Sequence, residues 1–207
     1  LGSVAERNFR PHVNCVNITP DQKYLCAVDL GVDQVKIYKF NYETGKITLV
    51  DMLRCEQESA PRIIKFSPDG RFAYLICELK NYISVYSYKD GPRGPIFELV
   101  QTISTLNDYH SKGSAACVLR FSRDWNYVLC SNAGDNSIGI FKVDHETGML
   151  EKICILPISG DYPKAADFFP DNRHIMSLNH ETNTMTIFKI NYEKKYFSMW
   201  GKPLKVE

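Results

Sequence analysis

Apolar and polar positions along this chain fall into short runs that repeat four times in the same order. Each unit opens on an apolar run: Cys15–Ile18, Ile63–Phe66, Val118–Phe121 and Ala165–Phe169. A polar turn follows, built on Pro20-Asp21, Pro68-Asp69, Arg123-Asp124 and Pro170-Asp171. Most of these residue types suit a tight reversal of the backbone. A second apolar run comes next: Tyr24–Val28, Phe72–Cys77, Tyr127–Cys130 and His174–Leu178. The third run alternates, with Val35 and Ile37, Ile83 and Val85, Ile138 and Ile140, and Met185 and Ile187 on one side. That two-residue period marks a half-buried strand. A weaker fourth run lies near Ile47, Phe97, Leu150 and Phe197, reached in two units through Glu43-Thr44-Gly45 and Glu146-Thr147-Gly148. No segment carries a helical period.

The four units keep one internal length. An aromatic residue stands 18 positions after the first residue of every turn pair: Tyr38, Tyr86, Phe141 and Phe188. The turns themselves are 48, 55 and 47 residues apart, so the length variation lies outside this block. A period near 50 residues, with four short antiparallel strands per unit, predicts an all-β fold, a β-propeller built of four-stranded antiparallel blades. Strands a to d are counted from the central channel outward. The four blades are placed at about 10–58, 59–112, 113–160 and 161–201, with the aromatics at equivalent strand-c positions between blades. Residues 1–9 are read as the tail of a loop from a preceding blade, and Lys202–Glu207 as the approach to a following one. Seven blades at this period require about 350 residues. An open four-blade arc leaves two apolar edges, to be covered by further blades or a second copy.

Charge and cysteine usage narrow the partners. A net charge of +1 gives no field that favours nucleic acid or a membrane surface, and neither is expected as a partner. No 18-residue apolar stretch or signal peptide is visible in these residues. The seven cysteines lack CxxC spacing and mostly fall inside strand runs, which reads as buried free thiols in a reducing cytoplasm. No cofactor and no metal is expected. Asp29, Asn132 and Asn179 near the channel, and the run Asp29-Leu30-Gly31-Val32-Asp33, have the oxygen ligands a cation needs, but Asx side chains capping a polar turn explain them as well.

Antiparallel pairing puts the start of strand a and the end of strand b at one rim. Six residues before each turn pair stand Asn14, Arg62, Cys117 and Lys164; ten residues after its first residue stand Leu30, Glu78, Ala133 and His180. Both sets vary between units while the packing positions do not, the pattern of a site grafted on a scaffold. Arg62 and Lys164 suit an anionic ligand, and Glu78 suits a general base or a water-orienting group. His12, Asn14 and His180 complete the candidate rim. An Arg62–Glu78 ion pair that merely closes one blade is the competing explanation. The long connection over 98–113, with Asp108, Tyr109, His110 and Lys112, is a candidate lid above the same mouth.

Pro11-His12-Val13-Asn14, Thr19-Pro20-Asp21 and Val28-Asp29-Leu30-Gly31-Val32-Asp33 form one blade signature. Ala60-Pro61-Arg62, the run from Phe66 to Tyr74 and Glu78-Leu79 form a second, continued by Ala115-Ala116, Ser131-Asn132 and the segment from Asp135 to Ile138. These motifs resemble the bacterial lactonase propellers, a seven-bladed family that groups propeller-type 6-phosphogluconolactonases with carboxy-muconate cyclases. The resemblance covers nearly the whole chain and corresponds to the later four blades. It implies a rim site of a histidine, an arginine, a glutamate and a second arginine. By motif, Arg62 and Glu78 are the first arginine and the glutamate. Asn14 stands where the histidine is usual, with His12 two residues before it, and Ala133 stands where the second arginine is usual. Lys164 is a possible replacement for that lost cation.

Three functions are therefore open. The first is hydrolysis of a sugar-acid lactone, 6-phosphogluconolactone among the candidates, with Glu78 and Arg62 catalytic. The second is a non-catalytic propeller that binds a sugar acid or phosphosugar. The third is a protein-interaction scaffold that needs no rim chemistry.

Overall fold

The computed structural model describes residues 10–107 and 113–206. The candidate lid residues Asp108, Tyr109, His110 and Lys112 lie outside the described residues. Each repeat folds as an antiparallel sheet whose strands follow one another in chain order. The first sheet holds β1 (Val13–Ile18), β2 (Tyr24–Asp29), β3 (Gln34–Phe40) and β4 (Ile47–Arg54). The second holds β5 (Pro61–Phe66), β6 (Phe72–Cys77), β7 (Tyr82–Gly91) and β8 (Gly94–Ser104). The third holds β9 (Ala115–Phe121), β10 (Tyr127–Ala133), β11 (Ser137–Val143) and β12 (Leu150–Pro157). The fourth holds β13 (Pro163–Phe168), β14 (His174–Asn179), β15 (Thr184–Asn191) and β16 (Tyr196–Met199). The helical content of the described residues is one 3₁₀ turn, Leu30–Val32.

The fourth sheet departs from expectation at its end. Leu204–Lys205 forms β17, which pairs with β15 through Met185 and Leu204. These residues extend strand d beyond an interruption at Trp200–Pro203.

The turn chemistry repeats closely. In three units the hydroxyl of Thr19, Ser67 or Ser122 donates to the carboxylate of Asp21, Asp69 or Asp124 at 2.6 Å. In the fourth, Phe169 replaces the hydroxyl residue and His174 Nδ1 meets Asp171 Oδ2 at 2.6 Å. The residue after each Asp adopts a left-handed backbone: Gln22, Gly70, Trp125 and Asn172 have φ between 56° and 73°. The aspartate side chain accepts the N–H that follows this turn and offsets its strain.

The chain divides into two compact units, residues 1–102 and 103–207. In the first, one core lies between its two sheets. Cys26, Val28, Val35 and Ile37 meet Ile64, Phe66, Leu75, Tyr86 and Tyr88. In the second, Leu129, Ile138 and Ile140 meet Ala166, Ile175, Phe188, Ile190 and Phe197. The strand-c aromatics are in equivalent register, opposite Leu25, Ala73, Val128 and Ile175. Tyr86, Phe141 and Phe188 are buried, but Tyr38 is only half-buried. Tyr38 alternates with Val35 and Ile37, which fill the core with the second sheet, and lies on the other face of the first sheet.

All seven cysteines are free. Burial pushes the thiols of Cys26, Cys77 and Cys130 up to about 12, so they stay protonated and unreactive near neutrality.

Candidate active site

The candidate rim rests on a backbone device that recurs in every sheet. In the second sheet Pro61 pairs with Cys77 and Ile63 with Ile76, so Arg62 is an extra residue with no partner opposite. The same bulge leaves out Asn14 between Val13 and Cys15, Cys117 between Ala116 and Val118, and Lys164 between Pro163 and Ala165. A bulge bends the strand and re-aims the extra side chain. The four positions found by their constant offset from the turn are thus all bulged residues. Opposite them, the residue ending strand b is tied back by its amide. The amides of Leu30, Glu78 and His180 donate to the carbonyls of His12, Ala60 and Tyr162 at 2.8–3.0 Å. Ala133 pairs with Ala115 in the same way.

In the first unit these ties bring Arg62 and Glu78 into direct contact. Arg62 Nη1 donates to Glu78 Oε2 in a close ion pair. The carboxylate is 2% exposed and the guanidinium side chain 26%, so Arg62 is the member that faces solvent. Asn14 joins them through the backbone: its Nδ2 donates to the Arg62 carbonyl at 3.2 Å. Three residues further along β1, Asn17 Nδ2 makes a similar bond to the Ile64 carbonyl at 3.0 Å. His12 is exposed, and its amide donates to Asp29 Oδ1 at 2.7 Å.

In the second unit Lys164 and His180 flank one ring. Lys164 Nζ lies 5.5 Å from the centroid of Tyr162, and the His180 ring lies 6.3 Å from it, centre to centre. Both Lys164 and His180 are exposed. Their positive and polar atoms around an aromatic face can take an anion or a sugar ring. Ala133 is fully buried, packed with Ala115 and Cys117.

Buried Asp29, Asn132 and Asn179 have structural partners. Asp29 Oδ2 meets Lys36 Nζ at 3.0 Å. Asn132 Nδ2 donates to the Thr105 carbonyl at 2.8 Å and to Ser137 Oγ at 3.0 Å. Asn179 Nδ2 donates to the Ser159 carbonyl at 3.2 Å and to Thr184 Oγ1 at 3.1 Å. These Asn side chains tie the incoming connection to the turn between strands b and c. Among the described residues no group of three or more His, Cys, Asp or Glu side chains is arranged to hold a metal ion. No helix among them is long and apolar enough to cross a membrane.

Sequence reasoning missed two features of this region. One is the bulge itself, whose only trace is the fixed offset of six residues before each turn. The other is Tyr162, whose ring links Lys164 to His180; its position two residues before the bulged lysine was its only signal.

Four-stranded meanders with a bulged rim define a bladed scaffold, and the comparison with known families agrees. Residues 2–207 match the family model described as Lactonase, 7-bladed beta-propeller. The chain belongs to this family of β-propellers. Among its relatives is the 6-phosphogluconolactonase of Bacillus subtilis, 28% identical over 188 residues, which are 91% of this chain and 53% of that protein. An uncharacterised Lactococcus lactis protein is 36% identical over 178 residues, 86% of this chain and 51% of its own. The solved periplasmic gluconolactonase of Pseudomonas aeruginosa superposes with a TM-score of 0.86 at 26% identity, covering 95% of this chain and 55% of that one. The chain spans about half the length of the curated relatives it matches.

Proposed function

We propose that this chain is the site-bearing part of a lactone hydrolase acting on a sugar-acid lactone, with 6-phosphogluconolactone as the leading substrate. The observation that carries this is the Arg62–Glu78 pair, a buried carboxylate behind a solvent-facing guanidinium on a bulged strand. Arg62 binds the lactone carbonyl or an anionic group of the substrate. In doing so it is drawn from Glu78, which then accepts a proton from a water. The water oxygen attacks the carbonyl carbon, the ring C–O bond breaks, and the departing ring oxygen takes up the proton. The product is the open-chain sugar acid, which loses its own proton to solvent. A positioned base supplies about 10²–10⁴-fold. Asn14 and His12 on the first unit's rim are proposed to bind hydroxyl groups of the substrate, and Lys164 and His180, flanking Tyr162 in the second unit, suit an anion or a sugar ring in their own right.

Kinetics on the full-length protein test this reading. Arg62→Ala is expected to raise KM for a phosphorylated lactone more than for its neutral analogue, because only the former loses a charge-assisted contact. Equal effects on both would assign Arg62 to the carbonyl alone. Absence of hydrolysis by the unaltered full-length protein, with retained binding of a sugar acid, would favour the non-catalytic alternative.

A further inference from the structure

The turn after β2 ends on Asp33, part of the run that offers cation ligands in the sequence. Its carboxylate has other occupants. Oδ2 accepts the Glu58 amide and Oδ1 the Ala60 amide, both at 2.8 Å, and the Asp33 carbonyl accepts the Cys55 amide at 3.0 Å. Glu58 and Ala60 both hold left-handed backbone angles, φ 62° and 53°. Such angles are unfavourable for these residue types unless their surroundings impose them. Ala60 in turn accepts the Glu78 amide at 2.8 Å, and Ser59 accepts the Leu79 amide at 3.1 Å. Pro61, the next residue, is the last in register before the Arg62 bulge. A side chain of the first sheet therefore holds the backbone from which both Arg62 and Glu78 extend.

The second unit supplies an internal control. Asn136 occupies the equivalent turn position with the same left-handed angle, φ 52°. Its Oδ1 accepts the amide of Tyr162, the counterpart of Ala60, at 2.8 Å. Its Nδ2 donates to Asp161 Oδ1 at 2.9 Å. Residue type follows the partners. Asp33 meets two donors and offers two acceptor oxygens; Asn136 meets one donor and one acceptor and offers one of each. An amide at position 33 would turn its NH₂ group against a backbone N–H.

We propose that Asp33 is a positioning residue for the Arg62–Glu78 pair, a latch from one blade to the working rim of the next. The catalytic part of this proposal rests on the hydrolase reading above; the latch itself does not. Asp33→Asn in the full-length protein tests both. Amide hydrogen exchange reads the latch without any activity: the Ala60 and Glu78 amides are expected to exchange about tenfold faster, while the Cys130 amide keeps its protection. In the kinetic arm, kcat on a lactone is expected to fall about tenfold with KM within about twofold, since geometry is lost and binding groups are kept. In a Glu78→Gln background the same substitution should add nothing, because both act through one group. Asp33→Ser, which keeps one acceptor, serves for the exchange measurement if the amide variant does not fold. Unchanged exchange at Ala60 and Glu78 would overturn the latch whatever the activity. Faster exchange with unchanged kcat would overturn its role in the reaction. A full-length protein with no hydrolase activity would defeat the hydrolase reading and this catalytic role together, while exchange still decides the latch.

Discussion

Glu78→Gln separates the two roles open to the Arg62–Glu78 pair. Glutamine keeps the shape of the side chain and one acceptor oxygen but removes the charge and the base. Breaking a fully buried ion pair costs about 3–5 kcal/mol, because the remaining charge is stranded. Here the remaining group is Arg62, 26% exposed, so water can reach it. The loss then reduces to the difference between a charge-assisted and a neutral hydrogen bond, about 1 kcal/mol. That corresponds to about fivefold in the folding equilibrium. The loss of a positioned base is larger: about 10²–10⁴-fold in kcat, or ~3–5 kcal/mol of barrier. Urea denaturation followed by tryptophan fluorescence gives the first quantity, and proton release during lactone hydrolysis gives the second. A variant that unfolds ~3 kcal/mol more easily yet hydrolyses within about threefold of the parent would refute the catalytic assignment and make the pair a structural clamp.

Other expectations follow from the same packing. Phe141→Ala should destabilise by ~3–5 kcal/mol in denaturant melts, and Tyr38→Ala by clearly less, because Phe141 is fully buried and Tyr38 half-buried. Ala133→Arg should lower stability in the same melts. Ala133 is fully buried, whereas Asn14→His at an exposed position should be tolerated. The Asp69 carboxyl is lowered to about 2: burial alone would raise it, but the Ser67 hydroxyl and the Arg71 amide and guanidinium outweigh that. Its contribution to stability is therefore present above the usual carboxylate value of 3.8 and is lost as pH falls toward 2. Asp69→Asn should flatten acid unfolding, followed by circular dichroism, in that window.

The blades were legible because their determinants are local. Alternation gave β3, β7, β11 and β15, and the Asp-centred turns set the spacing of their neighbours. Arg62 and Glu78 were legible for a related reason: counting from a fixed turn places them at one end of an antiparallel pair. What resisted was anything decided between elements. Asp33 and Asn136 look like ordinary turn residues, since the amides they hold lie more than 20 positions ahead. The exposure of Tyr38 depends on which sheet covers its face, which its own strand does not encode. Strand d of the fourth sheet was cut short because Trp200–Pro203 breaks the pattern before pairing resumes at Leu204.

The recurrence of the bulge in four sheets separates scaffold from chemistry. If the bulge at Arg62 were a feature of catalysis, sheets without an ionisable pair would have no reason to keep it. Yet Asn14 and Cys117, in sheets whose rim positions hold no ionisable pair, are bulged in the same register, and Cys117 is buried beside Ala115. The bulge therefore belongs to the blade, where it bends strand a at the rim. What differs is the side chain it aims and the residue that ends strand b opposite. In the second sheet those two are Arg62 and Glu78, and they pair; in the third they are Cys117 and Ala133, and they pack. A blade that aims one side chain through a constant bulge can change its chemistry at that position while the strand register is kept. Asn14 and Ala133 hold the same places as their counterparts Arg62 and Glu78, so the side chain and not the strand pairing distinguishes them.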